Sequence, residues 1–181
     1  TEPKLLDPSG GIADLRDQRI TAVHEQNLLD DPLRLLRALR LAAELSMTID
    51  EATLEMIARH RHHLPKVAPE RIQAELLKLV QANNADQAIR LLHSLQLIAP
   101  WSSDQPQRTF NAEALTQQEQ QLALPLARLT QLLSDQGVND LRFSRKQIQR
   151  CLRLRTWWMR DQQQSADALN ERERLKLHQE L

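Results

Sequence analysis

Tyrosine is absent from this 181-residue chain, cysteine occurs once and glycine only three times. The single thiol, Cys151, excludes an internal disulfide framework and fits a reducing compartment. Between Arg150 and Arg153 it reads as a small buried helix residue rather than a reactive one. No apolar run approaches the ~20 residues of a membrane span, and no secretory signal opens the chain. The expectation is a cytoplasmic protein with no membrane partner. Net charge is zero, from 24 basic and 24 acidic residues, so no global field draws in nucleic acid. Any RNA surface has to come from local segregation of charge. Scarce glycine with plentiful Leu, Ala, Gln and Arg predicts an all-α protein.

The most informative stretch is Asp30-Asp31-Pro32-Leu33-Arg34, continuing as Leu35-Leu36-Arg37-Ala38-Leu39-Arg40. Proline suits a first helical position and aspartate suits the cap before it, so a helix is predicted from Pro32 to about Ser46, capped by Asp31. Asp31 and Arg34, three residues apart, then face the same way and offer an acceptor beside a forked donor. Cytosine and adenine present an amine donor next to a ring-nitrogen acceptor on their pairing edge. Uracil and guanine present the opposite pattern, so the pair suits C and A and mismatches U and G. The plainer reading is a capped helix in which Arg34 simply pairs with Asp31 at the surface. Arg34, Arg37 and Arg40 form a stripe able to grip phosphate oxygens, or a solvated face with Arg40 and Glu44 as an i,i+4 pair.

Upstream lies Asp7-Pro8-Ser9-Gly10-Gly11-Ile12-Ala13-Asp14-Leu15 and downstream Pro69-Glu70-Arg71-Ile72-Gln73-Ala74-Glu75-Leu76-Leu77-Lys78-Leu79. With the central stretch between them, these three motifs resemble the class II tRNA nucleotidyltransferase and bacterial poly(A) polymerase family over residues 7 to about 98. Each motif is weak alone; the order and spacing carry the resemblance. It implies a hinge to a catalytic head at Asp7, Gly10, Gly11 and Asp14, and base reading by Asp31 and Arg34 with Asp30 orienting them. It further implies nucleotide contacts from Arg37 and Arg40, and a brace at Glu70, Arg71 and Glu75. Asp30 stands where the family has glutamate, Thr21 where relatives often carry arginine, and Leu41 where they usually carry phenylalanine.

The family's catalytic head carries an Asp-x-Asp pair that holds metal, and neither Asp-x-Asp nor Gly-Ser occurs in this sequence. Nucleotidyl transfer needs carboxylates to hold divalent ions that bridge the reacting oxygens. The resemblance therefore implies a neck and body whose head lies elsewhere, in cis or in trans. The chain alone would hold no metal and be inactive, with Mg2+ acting in the complete enzyme. Thr1-Glu2-Pro3-Lys4, lacking a start methionine, reads as a cut through a longer protein. The implied partners are a tRNA or other RNA 3′ end, ATP and CTP. Addition of CCA, of CC or A alone, and of poly(A) all stay open, as does a noncatalytic RNA-binding or interaction module.

Asp7 to about Arg19 reads as turn, with Gly10-Gly11 supplying positive φ and Asp7 and Asp14 bonding backbone groups. Ile20–Val23 reads as extended. Asp50 is expected to cap a helix ending near His60, whose neighbours His62 and His63 fit a helix C-terminus better than a metal site. Pro69 is expected to open a helix with Arg71 and Glu75 as an i,i+4 pair, and Asn84 to cap the next. The predicted organisation is a hinge over 1–26, a neck over 27–98, a linker over 99–110 and a body over 111–181. In the body a helix is predicted from Ala112 to Ser134, Gly137 is read as a helix stop and a charged helix is predicted from Ser165. Arg142, Arg145, Lys146, Arg150 and Arg153, continuing to Arg155 and Arg160 beside Trp157 and Trp158, form the candidate RNA contact. Ile148, Cys151, Leu152 and Leu154 are expected to face the core.

Overall fold

The computed structural model describes residues 6–104 and 116–163, and for 160–163 the backbone only. Thr1–Lys4, the linker positions 105–110, the start of the Ala112 helix, the Arg160 side chain and the charged segment from Ser165 lie outside the described residues. The chain divides between Ala99 and Pro100 into two compact units.

The first unit contains helices α1 (Gly11–Arg16), α2 (Glu25–Asp30), α3 (Leu33–Leu45), α4 (Glu51–His60), α5 (Pro69–Gln81) and α6 (Ala85–Ser94). A 3-10 helix, Arg61–Lys66, joins α4 to α5. Two short strands, β1 (Arg19–Ile20) and β2 (Thr48–Ile49), pair in parallel, Arg19 against Thr48 and Ile20 against Ile49. The described residues are thus mainly helical, with one small pair of strands. Leu35, Leu36 and Leu39 of α3, Ile57 of α4, Ile72, Leu76 and Leu79 of α5 and Leu92 of α6 are all fully buried. Each such side chain contributes roughly 1.5–3 kcal/mol by leaving water. The helical spacing of these residues places one face of α3 against α5 and α6.

Local chemistry explains most boundaries. Asp50 caps α4 by accepting from Thr53 N–H at 3.2 Å, and Pro69 opens α5 as expected. Asn84 precedes α6 but makes no side-chain cap bond; its own N–H instead donates to the Ala43 carbonyl at 3.2 Å. The segment after Asp7 is not simply turn, because α1 forms within it. Asp7 accepts from the Gly11 and Ile12 N–H groups, both at 2.9 Å, satisfying two donors that open that helix. Of the two glycines only Gly10 takes positive φ, at 73°; Gly11 is helical. Asp14 binds the Arg19 side chain, at 3.1 Å to Nε and 3.0 Å to Nη2, rather than backbone.

The second unit contains α7 (Gln117–Leu132), α8 (Asp135–Asp140) and α9 (Arg145–Gln163). Thr116 and Glu119 close a reciprocal capping box on α7. Pro125 sits inside α7 without ending it; every buried residue of that helix follows it, from Arg128 onward. The expected linker is pinned where described: Trp101 is buried and its carbonyl accepts from Ser134 N–H at 2.9 Å, while Ser103 N–H donates to Leu132 at 3.1 Å. Gly137 is no stop. It lies within α8, and a Cβ there would fall 2.2 Å from the Trp101 carbonyl oxygen, so glycine permits a close backbone approach.

Candidate functional site

Helix α3 begins one residue later than expected, at Leu33, with Pro32 as its cap residue. Asp31 still serves the helix mouth, accepting from Leu33 N–H at 3.3 Å. Its main partner, however, is not Arg34. Arg71, 40 positions downstream on α5, donates Nη2 to both Asp31 oxygens, at 3.2 and 2.9 Å. Arg34 turns to the middle of α2 and donates Nη1 to the Asn27 carbonyl at 3.1 Å. The expected surface pair between Asp31 and Arg34 is absent because each has a partner on another element. The Asp31 carboxyl is pushed up by partial burial. Hydrogen bonding and charge from Arg71, the Leu33 N–H and the charge of Arg34 outweigh that and hold it below the usual carboxylate range.

Asp30 does not orient Arg34 either. It accepts from Gln26 Nε2 at 2.8 Å, one turn back on α2, a bond within reach of the shorter aspartate.

The brace also pairs differently from expectation. Arg71 and Glu75 do not meet; Arg71 crosses to Asp31, just ahead of α3, and Glu75 to α3 itself. Glu75, with its side chain 5% exposed, accepts Arg40 Nε at 2.7 Å and Arg37 Nε at 3.2 Å. Arg40 also holds Glu44, the predicted i,i+4 pair. With its side chain only 13% exposed and two carboxylates on it, Arg40 acts as a strut between α3 and α5. Arg37 is 47% exposed and binds Glu75 through Nε, so of the two it is the more open to solvent. Glu70 is exposed at the start of α5.

The signal for the pairing was present as charge order: acid then base from Asp31 into α3, base then acid on α5. Nothing in the sequence marked the Asn27 carbonyl, a backbone group.

Behind α2, Glu25 gathers His60 at 2.6 Å and Arg59 at 2.7 Å. The hydrogen bond from His60 is the chief cause that holds the Glu25 carboxyl below its usual range. The rings of His62 and His63 lie 4.2 Å apart, and Lys66 approaches His63 at 3.1 Å. Among the described residues no group of three or more His, Cys, Asp or Glu side chains converges as a metal site would.

In the second unit Arg142, Arg145, Lys146 and Arg153 are exposed, and Arg142 adopts positive φ at 57° before α9. Arg150 is half-buried, with its Nε lacking a hydrogen bond. Arg155 leaves the expected basic face altogether. It is 6% exposed, donates Nη2 to the Thr130 and Leu133 carbonyls at 2.8 and 2.6 Å and pairs with Asp135. Leu152 is 39% exposed rather than core, whereas Cys151 is fully buried and its thiol is pushed up by that burial.

Comparison with known proteins extends this geometry. Residues 46–108 match the family model described as the probable RNA and SrmB-binding site of polymerase A. A CC-adding tRNA nucleotidyltransferase of Synechocystis sp. is 37% identical over 109 residues, covering 60% of this chain and 26% of the relative. That of Geobacter sulfurreducens is 44% identical over 81 residues, covering 45% and 19%. A CCA-adding enzyme of Levilactobacillus brevis is 38% identical over 87 residues, covering 47% and 22%. The chain thus spans about a quarter of the length of these curated relatives.

Among solved structures, a CCA-adding enzyme with ATP aligns with a TM-score of 0.65 at 21% identity, over 83% of this chain and 40% of that one. The Thermotoga maritima CCA-adding enzyme complexed with tRNA aligns at 0.64 and 20% identity, over 83% and 42%. These structures share the fold. In motif order, helical architecture and sequence, the chain is similar to part of the class II CCA-adding enzymes.

Proposed function

We propose that this chain is the nucleotide-selecting and RNA-binding part of a tRNA nucleotidyltransferase that adds C, A or both to tRNA 3′ ends from CTP and ATP. The observation that carries this reading is the mouth of α3. There a carboxylate and a guanidinium one helical turn apart remain unpaired with each other. Asp31 accepts the exocyclic amine of C or A, and Arg34 donates to the adjacent ring nitrogen. U and G leave both groups mismatched, and that mismatch discriminates between the bases. Arg37 meets the triphosphate from the exposed side of α3, and Arg40, through Glu75, keeps that helix in register.

Residues 1–26 serve as the hinge toward a catalytic head, 27–98 as the reading neck and 111–181 as the body that holds RNA. Arg142, Arg145, Lys146 and Arg153 supply phosphate contacts there. The protein works in the cytoplasm; among the described residues no helix is long and apolar enough to cross a membrane. Magnesium, implied for the complete enzyme, finds no fitting site among the described residues. Asp7 is bound to backbone N–H groups, Asp31 to Arg71 and Glu75 to two arginines. No step is assigned to it in this chain.

Two observations favour narrower products. The Synechocystis and Geobacter relatives add CC, and the matched family model names polymerase A, so a CC-adding enzyme and a poly(A) polymerase are the competing readings. Incorporation on tRNA ending before or within CCA, by the protein joined to its catalytic head, separates them. In the same assay Asp31→Ala and Arg34→Ala should each relax discrimination against UTP and GTP; unchanged selectivity refutes the assignment. Replacing Arg145 and Lys146 with Gln should weaken tRNA binding and flatten its salt dependence by about one unit of slope for each phosphate no longer neutralised. Equal affinity would remove the body from the RNA site.

A further inference from the structure

Asp31, one residue ahead of the Pro32 cap, and Arg34, in the first turn of α3, are close enough for their opposite charges to attract. A pair closed on itself turns its facing donors and acceptors toward each other rather than toward a base. Two interactions prevent that closure: Arg71 occupies both oxygens of Asp31, and the Asn27 carbonyl occupies Arg34. We infer that Arg71 is a positioning residue for nucleotide selection, holding the Asp31 carboxylate away from Arg34 so that both stay available to an incoming base. This rests on the reading of Asp31 and Arg34 given above and deepens it.

The geometry suits the task. Arg71 reaches Asp31 through one nitrogen, Nη2, and a carboxylate has about four lone-pair positions, so room remains for an amine donor. Arg71 comes from α5, which Glu75 ties to α3 through Arg37 and Arg40 one turn further on, so the guanidinium is delivered by a fixed helix. Its own side chain is 50% exposed, so it contributes little to the core, and its removal tests position rather than folding. Arg34 is exposed and held by a single hydrogen bond to a neutral carbonyl, the weaker of its two available partners once Asp31 is released.

Arg71→Ala and Arg71→Lys test this in the 181-residue chain. NMR of the arginine side chains reports whether Arg34 has moved onto Asp31, and chemical-shift titration with CTP and UTP reports base preference. In the Ala variant the Arg34 guanidinium signals should shift and become protected, and the preference for CTP over UTP should fall about tenfold, the loss of one charged hydrogen bond's worth of orientation. The Lys variant, whose ammonium still reaches across as a point charge, should keep the wild-type Arg34 signals and most of the preference. Arg34 signals unchanged in the Ala variant, or an undiminished preference there, overturns the role of Arg71. A wild-type chain that does not distinguish the two nucleotides defeats instead the reading of Asp31 and Arg34, while the Arg34 signals still decide whether Arg71 keeps the pair apart.

Discussion

Glu75 of α5 is nearly sealed from water and receives Arg40 of α3 at 2.7 Å, so the packing between these helices contains a charge pair amid leucines. Such a pair stabilises chiefly against its own disruption: removing one member strands the other in a poor solvent, while replacing both by apolar groups costs little.

Glu75→Gln should therefore lower the stability of the first unit by about 3 kcal/mol, read as a lower urea midpoint at unchanged slope. The double variant Glu75→Leu, Arg40→Met should recover most of it. Equal losses in the single and double variants would show that packing volume, not the stranded charge, governs the site.

The two glycines near the start should behave oppositely. Gly10→Ala forces a side chain into φ 73° and should cost about 1–2 kcal/mol. Gly11→Ala enters a helical position whose nearest neighbour, Asp7 Oδ1, is 3.8 Å from the new Cβ, and should gain up to about 1 kcal/mol. Thermal melts of both variants check this; similar shifts would contradict the assigned backbone.

His93 of α6 has a buried Nε2 with no hydrogen bond, and burial pulls its pKa below the ordinary 6.5. Because the folded value is depressed, the unfolded chain takes up the proton first. Stability is then full above about pH 6.5, and falls as the pH drops toward the folded value. His63, lowered by burial and by Lys66, acts in the same direction. His93→Leu should reduce the loss of stability between about pH 7 and about pH 5 without abolishing it, as measured by urea titration at the two pH values. A slope identical to wild type would exclude His93 as a contributor.

The helices of the neck were legible because capping and periodicity are local: Asp50, Pro69 and the leucine spacing of α3 act within a few residues of themselves. The pairing of charges was not. Arg71 and Glu75 satisfy the i,i+4 rule in sequence, but a buried carboxylate binds the cations that burial brings to it, and those lie on α3. Arg155 misled for the same reason. Composition placed it with the exposed basic residues, whereas two open carbonyls at the end of α7 and Asp135 drew it inward. The proposed reading pair, Asp31 and Arg34, was visible as residue types; what holds its members on other partners was not, since it depends on an arginine 40 positions away and on a main-chain oxygen.

The parallel match of Arg19–Ile20 with Thr48–Ile49 has a mechanical consequence. Thr48 N–H and Asp50 N–H donate to the carbonyls of Gln18 and Ile20, and Ala22 N–H donates to the Thr53 hydroxyl, so the backbone from Gln18 onward is stitched to the far end of α3 and the start of α4. Helix α1, just before it, buries none of its residues. A pull applied upstream of Asp7 is thus absorbed by rotation about Gly10 and the α1 segment. It stops at the stitch, and the packed helices beyond it stay still.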